Sequence, residues 1–253
     1  MAIKQNGFTL IEMSIVLIIM GLMTAGILTG RAIITQSKVA AQISDLTKYK
    51  IAYDSFKQRF NAVPGDMRNF SKFYPGVPDG NGDGHISHAV DNAYRVTNEN
   101  IKLFQHLSVA GLVPEKFRNQ WAIDVGYPSL KLEPAHGMVA GGFVATNAVP
   151  SQYQISVENI LRRYNALLVL EVTRPDLHSV YHNDYEGTSS AKLYHAVDKR
   201  IDDGKATTGN FKAYRAWDFQ RGDLNGKCLD SIDGNYELGN HAPSCHAIYV
   251  LED

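Results

Sequence analysis

The sequence carries little of what enzymes and nucleic-acid binders usually show. It has 25 lysines and arginines against 26 aspartates and glutamates, a net charge of −1. That balance gives no electrostatic footprint for nucleic acid. Nine histidines are present. They form no His-Glu-x-x-His, and there is no Gly-x-Ser-x-Gly, no glycine-rich phosphate loop and no paired-cysteine zinc knuckle, so none of those chemistries has a signature here. His178 and His182 have the spacing of one helix face, but Pro175 and the nearby Asn and Gly make the stretch a loop. Proline is absent from Arg31 to Phe60, so nothing there breaks a helix. Cysteine is limited to Cys228 and Cys245. Internal repeats, low-complexity segments and a second domain boundary are also missing.

What is present first is an apolar run. It follows Gly7-Phe8-Thr9-Leu10-Ile11-Glu12 and extends to about Thr29. Roughly 20 apolar residues suffice for a helix to cross a bilayer. The run holds one charged residue, Glu12. A carboxylate inside lipid costs roughly 2.5–3.5 kcal/mol on the insertion scale, so it calls for a partner. A secretory signal peptide puts its small cleavage residue after the apolar core, whereas here Gly7 precedes it. Lys4 ahead of the span favours a cytoplasmic N-terminus. On these residues alone, a plain single-span anchor with a chance Glu is the competing reading.

The segment Gly7-Phe-Thr-Leu-Ile-Glu12 resembles the cleavage and methylation signal of type IV prepilins and type II secretion pseudopilins. The resemblance implies that a prepilin peptidase cuts after Gly7 and methylates Phe8. It also implies that Glu12 pairs with the N-terminal amine of a neighbouring subunit. Gly21 matches a glycine of the family helix. The family's usual proline about 22 residues into the mature chain is Thr29 here, flanked by Gly26 and Gly30. The likeness covers only about the first 30 residues. Export implies oxidising surroundings, in which Cys228 and Cys245 would bridge; two free thiols in a cytosolic fold are the alternative. Such a bridge is similar to the C-terminal disulfide loop of type IV pilins.

Beyond the span the helical pattern continues. Val39, Ile43, Leu46, Lys50, Tyr53 and Lys57 step by three or four residues, and Ile43, Leu46, Ile51, Tyr53, Phe56 and Phe60 are expected to pack on a head domain. Pro64-Gly65-Asp66 marks the end. One helix from Phe8 to Phe60 would measure about 80 Å. Asn100–Val113 and Ser190–Arg200 read as helices. Gly126–Pro150 reads as short strands and turns. Gln154–Val172 fits either a helix or, from Leu167, a strand. Ala213–Trp217 and Ala247–Leu251 read as strands around the cysteines.

Two oxygen-rich loops suggest a cation. Asp79-Gly-Asn81-Gly-Asp83-Gly84-His85 has the first half of an EF-hand-like pattern, with calcium ligands expected from Asp79, Asn81, Asp83 and the His85 carbonyl. Position 12 is Val90 instead of Glu, and a plain turn explains the same residues. Asp202-Asp203-Gly204 through Asn210 is a second such turn, for which a solvated turn is the simpler reading.

Together these readings imply an α+β, pilin-like fold: a long N-terminal α-helix, one half in the membrane and one half amphipathic, carrying a globular head with a small antiparallel sheet. The expected divisions are a leader at 1–7, a membrane or filament-core helix at 8–30, the amphipathic half at 31–63 and an exported head at 64–253. The expected function is that of a structural filament subunit, not an enzyme. Its partners would be its own copies, a prepilin peptidase and an inner-membrane assembly platform. It would sit in the inner membrane as a precursor and in a periplasmic or extracellular filament once assembled. A minor or tip subunit with an adhesive or initiating role is one alternative. A membrane-tethered extracytoplasmic binding protein or enzyme is the other.

Overall fold

The computed structural model describes residues 9–88, 99–120, 122–132, 137–141, 143–144, 165–170, 188–215, 228–230, 235–239 and 243–252. One helix dominates it. Helix α1 spans Leu10–Phe60, 51 residues, or about 77 Å at 1.5 Å per residue. Asn61 ends it in the left-handed conformation (φ 49°, ψ 40°), with its N–H donating to the Lys57 carbonyl at 2.8 Å. Lys57 and Arg59 lie in the last turn, where their charge suits the helix dipole.

The two halves of α1 differ in what they touch. From Leu10 to Thr29 every residue is exposed. The second half buries Val39, Gln42, Leu46, Tyr49, Ala52, Tyr53 and Phe56, a stripe at the three-to-four spacing of one helical face. Ile51 departs from the sequence expectation: it is 60% exposed. Two residues make 200° of helical turn, so Ile51 points away from the face that carries Tyr49 and Tyr53.

The head wraps the buried stripe. After a short 3-10 turn at Phe70–Lys72 come strand β1 (Ser87–His88), helix α2 (Glu99–Val109), β2 (Gly137–Gly141), β3 (Phe143–Val144), β4 (Ala166–Leu170), α3 (Ala191–Ile201), β5 (Phe211–Arg215) and β6 (Cys245–Val250). Four strands form an antiparallel sheet in the order β2-β4-β6-β5, while β1 and β3 pair in parallel. Leu167 of β4 and Phe211 of β5 both sit opposite Tyr249 of β6. Strand β6, central in the sheet, is buried at Cys245 and at Ala247 through Val250. This is the α+β, pilin-like arrangement of a long apolar helix and a head with a small antiparallel sheet.

Polar clamps fix the head to the helix. The Asn165 side-chain amide donates to the Tyr53 hydroxyl and the Gly84 carbonyl, each at 3.1 Å, and its oxygen accepts the Ile86 N–H at 2.8 Å. Tyr53 and Lys57 both donate to Glu252, at 2.5 and 2.7 Å, and Lys50 donates to the Leu251 carbonyl at 2.9 Å. Burial alone would push the Glu252 carboxyl up, but Lys57, Tyr53 and Asn165 hold it below its ordinary value. Lys48 bridges Asp45 and Glu115.

The expected helices at 100–113 and 190–200 are present as α2 and α3. Of the ambiguous 154–172 stretch, 166–170 is a strand and 154–164 lies outside the described residues, as do His178 and His182.

Candidate assembly site

The site begins at the first turn of α1. Thr9 has extended backbone (φ −79°, ψ 153°) and caps the helix. Its hydroxyl accepts the Glu12 N–H at 3.3 Å. In return the Glu12 carboxylate accepts the Thr9 N–H at 2.7 Å and the Thr9 hydroxyl at 2.8 Å. This reciprocal pattern is a capping box, with Thr at the cap and Glu three residues on. It satisfies donors that a helix start leaves open and places the negative charge at the positive end of the helix dipole. Thr9 is therefore a site residue that the sequence reading passed over, although Thr-x-x-Glu ahead of an apolar run is a legible signal. Gly7 and Phe8 lie outside the described residues.

Around this turn the helix is bare. Leu10, Ile11, Met13, Leu17, Leu22 and Leu28 are each at least half exposed. The helix is long and apolar enough to cross a membrane. The only acid between Leu10 and Thr29 sits at the first turn. Residues 3–28 match the family model described as the prokaryotic N-terminal methylation motif.

This is the type IV prepilin signal.

No curated protein and no solved structure matches the chain. The signal supports a pilin-like or pseudopilin-like substrate of prepilin peptidase and fits an inner-membrane precursor.

The residues expected to hold calcium are described, and their side chains bond within the loop. Asp79 accepts the Ser71 N–H at 2.7 Å and its hydroxyl at 3.0 Å. These bonds, the backbone one foremost, hold its carboxyl below the usual carboxylate range. Asn81 accepts the Asp83 N–H at 2.8 Å and donates its amide to Asp83 at 3.0 Å. Asp83 accepts the His85 N–H at 2.9 Å. The loop instead closes around buried Asp66, whose carboxylate accepts the N–H groups of Gly82, Asp83 and Gly84 at 2.6, 3.1 and 2.8 Å. Among the described residues, no three His, Cys, Asp or Glu side chains gather as a metal site. Asp66 gave no sequence signal beyond its place after Pro64-Gly65.

The second oxygen-rich turn is likewise self-satisfied. Asp202 accepts the N–H groups of Asn210 and Phe211, and Asp203 accepts those of Lys205 and the Thr208 hydroxyl. Buried Asp198 of α3 accepts the Gly204 N–H at 3.1 Å and the Tyr236 hydroxyl at 2.8 Å. Burial pushes the Asp198 carboxyl up to about 6. Tyr236 lies between Cys228 and Cys245, which the structure joins in a disulfide. The disulfide loop is thereby tied to α3.

Proposed function

We propose that the chain is a structural subunit of a type IV pilus or of a type II secretion-like filament. In this reading prepilin peptidase cuts after Gly7, leaving Phe8 as the methylated first residue. Residues 1–7 are the leader, 8–30 the membrane and filament-core segment, 31–63 the amphipathic half of the spine and 64–253 the exported head. Copies of the chain are the principal partner, and an inner-membrane platform feeds them into a periplasmic or extracellular filament.

The observation that carries the reading is the combination at the start of α1. A prepilin signal leads into an apolar helix that is exposed from Leu10 to Thr29 among the described residues, and its one carboxylate sits in the first turn. In lipid that carboxylate is costly. In a stack of helices the amine of a neighbouring Phe8 compensates it, so Glu12 favours the correct register. The capping box holds the Glu12 carboxylate at the first turn of α1 until that exchange occurs.

Mass spectrometry of the native N-terminus tests the processing step. The expected product starts at methylated Phe8; an intact Met1-to-Gly7 leader on the mature protein would end the reading. Glu12→Ala should still span the membrane, yet be recovered poorly or not at all in sheared fibres beside wild-type copies. Incorporation at the wild-type level would remove the pairing role of Glu12.

Calcium at Asp79, Asn81, Asp83 and the His85 carbonyl is a separate proposal. The ion would compete with the bonds these side chains make to Ser71, Asp83 and His85. That competition points to weak affinity, about 10⁻⁴–10⁻³ M as in extracellular modules.

A further inference from the structure

We propose that His106 is an acid-sensitive latch that closes the 64–84 loop onto the end of the spine helix. The inference stands apart from the filament reading, since it concerns the head alone.

His106 lies on α2 and is fully buried. Its ring stacks on Phe70 with centroids 3.9 Å apart and planes at 20°, and lies 6.1 Å from Phe56 of the spine at 24°. Both ring nitrogens are used. Nδ1 accepts the Gly65 N–H at 2.9 Å. An acceptor nitrogen carries no proton, so the proton sits on Nε2, which donates to the Pro78 carbonyl at 3.0 Å. One neutral imidazole thus joins α2, the turn after the spine and the far arm of the loop.

Protonation breaks one of these bonds by necessity. A second proton on Nδ1 would face the Gly65 N–H, donor against donor. Gly65 has no room to adjust toward α2: a Cβ there would lie 2.6 Å from the Glu99 carbonyl oxygen and 2.9 Å from the Leu103 nitrogen. The turn must move away instead. It takes with it Asp66, the carboxylate on which Gly82, Asp83 and Gly84 hang. The loop is then released at its centre as well as at its start.

The charges facing the ring come from each packed element. Asp79 on the loop favours a proton on His106, and Lys102 on α2 opposes it; Asp66 flanks Gly65, and Glu99 of α2 accepts the Asn81 N–H at 2.8 Å. Burial dominates and lowers the His106 pKa to about 4. A free histidine titrates near 6.5. The stabilisation is complete above pH 6.5 and is lost as pH falls through the folded value near 4.

The test uses the full chain in detergent micelles, labelled with ¹⁵N-histidine, with His106→Asn to assign the signal. Asparagine retains an oxygen acceptor for Gly65 and does not titrate. In wild type the ring should be the Nε2–H tautomer at pH 7 and protonate near pH 4. Hydrogen exchange at Gly65 and Asp66 should show an opening equilibrium that rises roughly tenfold per pH unit from 6.5 to 4. In His106→Asn that slope should flatten. The proposal is overturned if His106 titrates near 6.5, if it is the Nδ1–H tautomer, or if Gly65 stays protected after the ring is protonated. It is also overturned if a folded His106→Asn opens with the wild-type slope, which would assign the opening to carboxylates. If His106→Asn does not fold, wild-type tautomer, titration and Gly65 exchange decide alone.

Discussion

At the scale of single residues, backbone geometry matters as much as side-chain chemistry. Gly65 has φ +89° and presses its α-carbon against α2. Gly76 has nearly the same φ, +88°, but open space where a Cβ would go. The pair separates two costs. Gly76→Ala should lose only the left-handed preference, about 1 kcal/mol. Gly65→Ala should lose roughly 2–4 kcal/mol, because backbone clashes are added. Denaturant unfolding of the two variants measures both; equal losses would show that close packing against Glu99 and Leu103 contributes nothing. Histidine shows the same dependence on context. His106 is buried against Phe70 and beside Phe56 and bonded at both nitrogens.

At the scale of elements, α1 joins two solvents in one helix. Its first half shows apolar side chains on every side, as a lipid-facing helix does. Its second half turns Leu46, Tyr49, Tyr53 and Phe56 into the head. Charged side chains there serve the head too: Lys48, Lys50, Lys57 and Arg59 reach Glu115, Leu251, Glu252 and Ala110. The loop after the spine is the other element with a measurable property. If it binds calcium as proposed, ion at ten times Kd adds about 1.4 kcal/mol of stability. The melting temperature of the wild type should then rise in calcium over chelator, and Asp79→Ala combined with Asp83→Ala should abolish the rise. A wild-type melting temperature that is the same in calcium and chelator rejects the site and leaves the loop's organisation to its hydrogen bonds, those of Asp66 among them.

At the scale of the whole molecule, the C-terminal part closes the structure. Cys245 opens β6, which pairs with β4 on one side and β5 on the other. Its bridge to Cys228, 17 residues earlier, ties the loop containing Tyr236 to the centre of the sheet. Closing a loop of this size is worth roughly 3 kcal/mol, by a mechanism that is model-dependent. Reduction should therefore lower the melting temperature of the head's unfolding transition. Thiol labelling of the denatured, unreduced chain should find no reactive cysteine; two reactive thiols would reject the bridge. The segment just beyond β6 straps back to the spine through Leu251 and Glu252, so sheet and helix are expected to loosen together.

Periodicity and local motif, which need no tertiary contact, determined α1, α2, α3 and the strands at 211–215 and 245–250 to within a few residues. The prepilin signal was legible for the same reason: its motif is a linear segment, residues 3–28. The identity of the helix face was only partly legible. A three-to-four spacing admits neighbouring stripes, and packing against Phe104 and Phe117 chose the one with Tyr49 over the one with Ile51. The roles of Asp66, His106 and Asn165 were decided by tertiary structure alone. Each bonds groups far along the chain: Asp66 to Gly82 and Gly84, His106 to Gly65 and Pro78, Asn165 to Tyr53 and Ile86. No local spacing encodes such partners, because the fold brings them together only after the hydrophobic stripe of the spine has found the head.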